Sequence, residues 1–143
     1  MQKRIVIQQT EPGAYHALFP LEKYISASGL KISHKNLIKV RASQINGCAY
    51  CINMHTKEAR AAGETEQRIY LLNAWKEVDL FTEEEKALLA LTEAVTLIKH
   101  HVPDEVYANA AKCFDEKYLA NIIMAIVAIN AWNRIAITTQ LQP

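Results

Sequence analysis

Two cysteines and a histidine lie close together in the chain, at a spacing that suits thiol redox chemistry. Cys48 and Cys51 form a CxxC pair, and His55 follows in the segment GCAYCINMH. On a helix that advances about 100° per residue, all three side chains fall within one sector of about 60°. Two thiols at this spacing can close a disulfide, and an imidazole can accept a thiol proton. The spacing therefore favours thiol redox catalysis.

The pair is also predicted to lie at the start of a helix, which opens at Gly47 and Cys48. Free backbone N–H groups and the positive end of the helix dipole favour thiolate over thiol there. Other interpretations stay open from the residues alone. The cysteines fit a reduced pair packed in the core, zinc ligands together with His55 and Cys113, or a binding or scaffold protein. Zinc is disfavoured because the chain has no second CxxC or HxxxH pair.

The elements that must position this motif are predicted to be helices. Three of the four glycines, Gly29, Gly47 and Gly63, separate segments of helical length, as glycines that end helices do. The β-branched run 3–9 has no partner strand, so we interpret it as an extended arm. The predicted helices cover about 14–28 with a restart at Pro20, 33–46 capped by Ser33, 48–62, 66–78, 83–99, 104–114 and 115–139. The sequence thus predicts one all-α domain over 1–143, a compact bundle of six or seven helices.

The last helix is unusual because it is apolar nearly all round from Ile122 to Ile129. A small bundle has few helices with which to wrap it, so the sequence predicts a homo-oligomer. The apolar run is far shorter than the roughly 20 residues that cross a bilayer. We therefore expect a buried helix segment and no membrane association.

The charge, the N-terminal residues and the number of cysteines limit the partners and the compartment that we expect. The 143 residues carry 16 Lys and Arg against 15 Asp and Glu, a net charge of +1, which provides no field for a phosphate backbone. No nucleic acid partner is expected. The N-terminal apolar run is too short for a signal peptide, and three cysteines do not make a secreted disulfide framework. These features predict a cytoplasmic protein.

The segment from Arg41 to Thr56, RASQINGCAYCINMHT, resembles the signature of the alkylhydroperoxidase D-like, or carboxymuconolactone decarboxylase, superfamily. The resemblance covers nearly the whole chain. It continues through Gly63, Ala74-Trp75, Phe81-Thr82, Leu91-Thr92-Glu93-Ala94 and Asn130-Ala131-Trp132-Asn133-Arg134. It implies an all-helical bundle that assembles into trimers or hexamers.

The resemblance also implies thiol peroxidase chemistry in antioxidant defence. Cys51 would be the peroxidatic thiolate that becomes a sulfenic acid, and Cys48 would resolve it as a disulfide. His55 would belong to the proton relay. No bound cofactor is implied: an external dithiol, in some relatives a lipoyl-bearing protein, would reduce the disulfide. Decarboxylase members of the superfamily lack the CxxC pair, so the resemblance favours a hydroperoxide as substrate. The alternative is dithiol/disulfide exchange or a non-enzymatic binding protein.

One position departs from the family pattern. Peroxidases of the superfamily carry a relay Glu twelve residues before the first cysteine, where this chain has Asn36, and an amide cannot accept a proton at neutral pH. Glu93 is our candidate replacement. Burial beside Leu89 and Leu97 would raise its pKa toward a useful range. The alternative is an exposed acid near Lys86 and His100.

Five other residues are predicted to have structural roles. His100 and His101 are expected at a solvated helix end. Trp132 and Arg134 are expected to pack and pair within the bundle or at an interface, with shaping of the substrate pocket as the alternative. Cys113 is expected to be a small core residue.

Overall fold

Helices make up the secondary structure of the computed structural model, which describes residues 3–143. Within that part of the chain no strand is present, as the sequence predicts. The α-helices are α1 (Ile7–Thr10), α2 (Pro12–His16), α3 (Phe19–Ala27), α4 (Ile32–Asn46), α5 (Ala49–Ala61), α6 (Glu66–Tyr70), α7 (Glu83–Thr96), α8 (Asp104–Cys113) and α9 (Glu116–Thr139). Short 3₁₀ helices follow α6 (Leu72–Glu77) and α7 (Ile98–His100).

Several helix ends agree with local signals in the sequence. Thr82 caps α7 in a capping box, in which its side chain accepts from the Glu85 N–H and the Glu85 carboxylate accepts from the Thr82 N–H. Asp115 caps α9 by accepting from the Tyr118 N–H. Pro20 lies in the first turn of α3, where a missing N–H costs nothing.

Other predicted boundaries were wrong. The segment 3–9 was expected to be extended, but its last residues form the start of α1. Ser33 does not cap α4, because the helix already begins at Ile32. The helix expected over 66–78 is broken into α6 and a 3₁₀ helix, with non-helical backbone at Ala74. The helix expected over 83–99 ends at Thr96.

The core lies between α4, α7 and α9, and α5 packs on α4 and α9. Its largest fully buried side chains are Ile38, Leu72, Leu88, Leu89, Leu91, Ile122, Ile126 and Ile129. α9 is long and apolar enough to cross a membrane, but the buried core helix of a soluble protein can have the same length and composition. Because Ile122, Ile126 and Ile129 are buried, α9 is the central core helix, although Met124 and Val127 remain exposed.

Candidate active site

The turn between α4 and α5 sets the position of the cysteine pair. Gly47 adopts a left-handed conformation (φ +68°), which favours glycine. The Cys48 N–H donates to the Ser43 carbonyl (3.0 Å), and the Gly47 N–H donates to the Gln44 carbonyl (3.2 Å). These two bonds satisfy the last carbonyls of α4. Cys48 is therefore the N-cap of α5 and lies just before the helix, whereas the sequence analysis placed it within the helix.

A partly buried network of polar side chains fixes this turn against α9. Asn46 Nδ2 donates to Asn130 Oδ1 (3.0 Å) and to Asn133 Oδ1 (2.9 Å). Asn133 Nδ2 donates to Ser43 Oγ (3.1 Å), and both Asn133 and Ser43 are fully buried. Since a buried polar group without a partner is costly, these bonds hold α9 and the CxxC turn in one register.

Cys48 and Cys51 are joined by a disulfide, with their Cα atoms 5.3 Å apart, a usual separation for such a bond. Both are buried, and they pack with Ala136 and Leu141 from the end of α9 and the tail that follows. Cys48 Sγ accepts from the Cys51 N–H at 3.3 Å. A free backbone donor at the start of α5 thus faces the Cys48 sulfur, where it would stabilise negative charge.

A cavity of about 260 Å³ opens beside the disulfide. It reaches Cys51, whereas Cys48 is not among its lining residues. The lining is largely aromatic and aliphatic, with a few ionisable groups. It consists of Tyr15, Phe19, Glu22, Lys39, Tyr50, Cys51, Met54, His55, Glu58, Trp132, Ile135, Ala136 and Leu141. Of the two cysteines, Cys51 is therefore the one that borders the cavity.

His55 lies one helical turn after Cys51 and lines the same cavity. Its Nδ1 is 2.8 Å from Glu58 Oε2. Because an ionised carboxylate only accepts hydrogen bonds, Nδ1 carries the proton and Nε2 keeps its lone pair in the neutral ring. Burial lowers the pKa of His55 below its ordinary value of 6.5, Lys39 lowers it further, and the hydrogen bond to Glu58 offsets only part of this. His55 is thus a neutral base at pH 7.

Three charged residues of the cavity, Glu22, Lys39 and Glu58, escaped the sequence analysis, and Trp132 was expected mainly to pack within the bundle. Glu22 Oε1 accepts from Trp132 Nε1 (3.0 Å), and Glu22 Oε2 lies 3.8 Å from Lys39 Nζ. Glu58, three residues after His55, was detectable from helical spacing. Glu22 and Lys39 come from other helices, so no spacing in the sequence indicates them. Trp132 belongs to the cavity wall, which was the alternative considered for it.

Glu93 lies outside this cavity. Its Oε1 accepts from Trp75 Nε1 (2.7 Å) and Arg41 Nε (2.9 Å), and its Oε2 accepts from Lys76 Nζ (3.0 Å). Burial tends to raise the pKa of Glu93, but these three hydrogen bonds outweigh it and hold the pKa below its ordinary value of 4.5. The expected rise in pKa was wrong, and the structure does not bring Glu93 together with Cys51 and His55.

The alternative for Glu93, an exposed acid near Lys86 and His100, was also wrong. Its side chain is only 17% exposed, and Lys86 pairs instead with Glu83 at 3.0 Å. Glu93 therefore ties α7 to α4 and to the 3₁₀ helix that carries Trp75, a structural role.

We predict that Glu93→Gln lowers the free energy of unfolding by about 2 kcal/mol, because partly buried donors lose a charged acceptor. Because the pKa of Glu93 is lower in the folded state than in the unfolded state, the folded state binds fewer protons at acidic pH. Its stabilisation is therefore present above pH 4.5 and is lost as the pH falls through the folded pKa. In urea unfolding between pH 3 and 7, the free energy of unfolding should fall less steeply with decreasing pH in the variant than in wild type. An unchanged acid slope would contradict this assignment.

Other residues singled out in the sequence also lie away from the cavity. Asn36 is buried and lines a separate depression with Ile32 and Gly63, outside the cavity beside Cys51. Cys113 is exposed at the end of α8, contrary to the predicted core position. Ala110 is the buried residue of α8, and Cys113 lies on the exposed side of this helix.

The remaining predicted roles concern the helix ends and a metal. His100 and His101 are exposed after α7, as expected. Arg134 is exposed and donates to the carbonyl and to the side-chain oxygen of Asn130, so it pairs within the bundle. In the part of the chain from Lys3 to Pro143, no group of three or more His, Cys, Asp or Glu side chains is arranged to hold a metal ion.

The fold and this site together define an all-helical protein with a CxxC disulfide at a helix N-terminus, facing an apolar cavity. The chain matches the carboxymuconolactone decarboxylase family over residues 12–94. This match spans more than half of the chain, so the chain belongs to that family. The resemblance found in the sequence is thereby confirmed.

Two relatives are similar along nearly the whole chain. The uncharacterized Bacillus subtilis protein YdfG is 45% identical over 138 residues, which cover 96% of this chain and 94% of that protein. A crystal structure of an Agrobacterium tumefaciens protein of unknown function, provisionally named as the antioxidant defence protein AhpD, superposes with a TM-score of 0.95. It is 42% identical and covers 99% of this chain and 97% of its own.

A more distant structure has the same fold. The debrominase Bmp8 superposes with a TM-score of 0.85 at 22% identity, covering 94% of this chain and 73% of that one. At this identity the likeness extends to the helical architecture alone.

Proposed function

We propose that this protein is a thiol-dependent hydroperoxidase of antioxidant defence. The observation that carries the proposal is the position of the CxxC pair, with Cys51 facing an apolar cavity beside the neutral base His55. The provisional naming of the 42% identical Agrobacterium tumefaciens protein for antioxidant defence supports it.

In the first step, the reduced protein binds a hydroperoxide in the cavity. His55 Nε2 takes the proton of the Cys51 thiol, and the thiolate attacks one oxygen of the peroxide. The S–O bond forms as the O–O bond breaks, which leaves a sulfenic acid on Cys51. The alkoxide leaves as an alcohol after His55 returns the proton to it.

In the second step, Cys48 resolves the sulfenic acid. The Cys48 thiol attacks the Cys51 sulfur, the disulfide forms, and water leaves with the hydroxyl group and the thiol proton. Cys48 suits this role because its sulfur lies behind Cys51, away from the cavity, and faces the Cys51 N–H. The disulfide between Cys48 and Cys51 is the bond that this step would form, and it supports the proposal.

An external dithiol must then return two electrons to complete the cycle. Since the cavity reaches Cys51, an incoming thiolate attacks Cys51 and releases Cys48. The family resemblance implies an external dithiol as the reductant, which in some relatives is a lipoyl-bearing protein. No bound cofactor takes part in this scheme.

Counting thiols tests the proposal directly. The reduced chain has three thiols, and one equivalent of cumene hydroperoxide should leave one, on Cys113, without forming a covalent dimer. Released cumyl alcohol should match the peroxide consumed. Three thiols after the peroxide would refute the peroxidase. If the protein does not react with peroxide but its disulfide exchanges with dithiols, it is a dithiol exchanger. If it instead binds zinc, it is a binding protein.

We further predict that the protein is a homo-oligomer, a trimer or hexamer. The central helix α9 leaves Met124 and Val127 exposed, and a subunit contact would remove this apolar surface from water. Light scattering at micromolar concentration should return a multiple of the 16.2 kDa chain mass. Val127→Asp should shift the population toward the monomer. A wild-type mass of one chain would contradict the prediction.

A further inference from the structure

The cavity beside Cys51 carries an uneven set of charges. Glu22 and Glu58 provide two carboxylates, and Lys39 is the one cation among the lining residues. His55 is neutral at pH 7 because burial lowers its pKa. The lining therefore carries one excess negative charge, and transfer of the Cys51 proton to His55 within the cavity leaves this net charge unchanged.

Each carboxylate has a defined partner. Glu58 is engaged with His55 Nδ1 at 2.8 Å. Glu22 is held by Trp132 Nε1 at 3.0 Å, which keeps its carboxylate within the cavity and 3.8 Å from Lys39 Nζ. Lys39 and Glu22 have side chains that are only 23% and 27% exposed, so water screens this pair less than it screens a surface pair.

The wall next to this pair is aromatic. Trp132 contacts Tyr15 edge to face, with ring centroids 5.4 Å apart, and lies against Phe19 at 5.9 Å. Together with Met54 and Ile135 these rings offer apolar surface to an organic group. Apolar contact thus attracts the body of a substrate, while charge acts on its substituents.

We propose that Glu22 is a specificity-determining residue, which neutralises Lys39 and so makes the cavity select uncharged organic hydroperoxides over those that bear a carboxylate. This inference rests on the proposed function of the same site. An anionic substrate finds Lys39 already occupied by Glu22 and meets the excess negative charge of Glu22 and Glu58. A neutral aryl or alkyl hydroperoxide meets no such repulsion.

The test compares two peroxides that differ in one charge, cumene hydroperoxide and its para-carboxylate. The measured quantity is the ratio of their kcat/KM values. Wild type should favour the neutral peroxide by about tenfold or more, the order of effect that one like charge a few ångströms away produces near a protein surface. Glu22→Gln keeps an oxygen that can accept from Trp132 but removes the charge. It should shift the ratio toward the anion by about tenfold.

Two further variants separate charge selection from other effects. In the Glu22→Gln background, Lys39→Met should reverse the shift, because the freed cation is the group that binds the carboxylate. Glu77→Gln removes an exposed carboxylate outside the cavity and should leave the ratio at its wild-type value. If Glu22→Gln leaves the ratio unchanged, or if Lys39→Met does not reverse the shift, the proposal is overturned.

A binding measurement distinguishes failure of this inference from failure of the proposed function. Cumyl alcohol and its para-carboxylate are titrated into the disulfide form and followed by NMR. The ratio of their Kd values should show the same shift in Glu22→Gln. If no variant consumes peroxide but the Kd ratio shifts, the peroxidase fails and charge selection stands. A Kd ratio that does not change overturns the role of Glu22.

Discussion

Cys51→Ser is expected to reduce peroxide consumption to the background rate, a loss of at least about 10³-fold, because a serine hydroxyl is not ionised at neutral pH. Cys51 is the cysteine that faces the cavity, so no other thiol takes its place. The rate is measured as residual cumene hydroperoxide over time, with an excess of dithiol reductant. The control is Cys113→Ser, which removes an exposed thiol outside the cavity and should keep the activity.

Cys48→Ser should behave differently, since the resolving thiol acts only after the O–O bond has broken. This variant is expected to consume one equivalent of peroxide and then to hold a sulfenic acid on Cys51. Dimedone labelling and mass spectrometry identify the modified residue. Both variants are made in the Cys113→Ser background so that no intermolecular disulfide forms. Sulfenic acid on Cys48 in the Cys51→Ser protein would reverse the two assignments.

His55→Gln is expected to slow oxidation of the reduced protein by about 10²-fold or more at pH 7, the usual effect of losing a positioned general base. A glutamine in this place can donate and accept hydrogen bonds but cannot take up the thiol proton. The oxidation rate can be followed by stopped-flow fluorescence, since Trp132 lines the same cavity. A loss of less than twofold would remove His55 from the proton transfer.

The pH profile adds an independent readout for His55. Because its pKa lies below 6.5, wild-type His55 is neutral at pH 7 and becomes protonated only at lower pH. The oxidation rate should therefore show an inflection as the pH drops through that lowered pKa, and this inflection should be absent in His55→Gln. Glu58→Gln, which can still accept from Nδ1, should slow the reaction less than Glu58→Ala, which cannot.

Much of the fold followed from local sequence signals. Gly47 ends α4, Thr82 and Glu85 form the predicted capping box, and Asp115 caps α9. These features depend on residues within one turn of each other, so their spacing along the chain is enough to detect them. The CxxC pair and His55 were detectable for the same reason.

The rest of the cavity depends on how separate helices pack. Glu22 and Lys39 come from α3 and α4, and Trp132 comes from α9, so no spacing along the chain brings them together. The error for Glu93 has the same origin. Its own helix provides leucines that suggest a raised pKa, whereas the donors that lower the pKa belong to other elements.

The contact between the CxxC turn and α9 limits how the motif can be transplanted. Asn46 on one side and Asn130 and Asn133 on the other belong to segments that lie more than 80 residues apart in the chain. A design that grafts only the segment 41–56 into a new helical bundle would leave Asn46 and Ser43 without their buried partners. Such a graft has to carry both segments as one block, or replace these polar side chains with apolar ones that fill the same space.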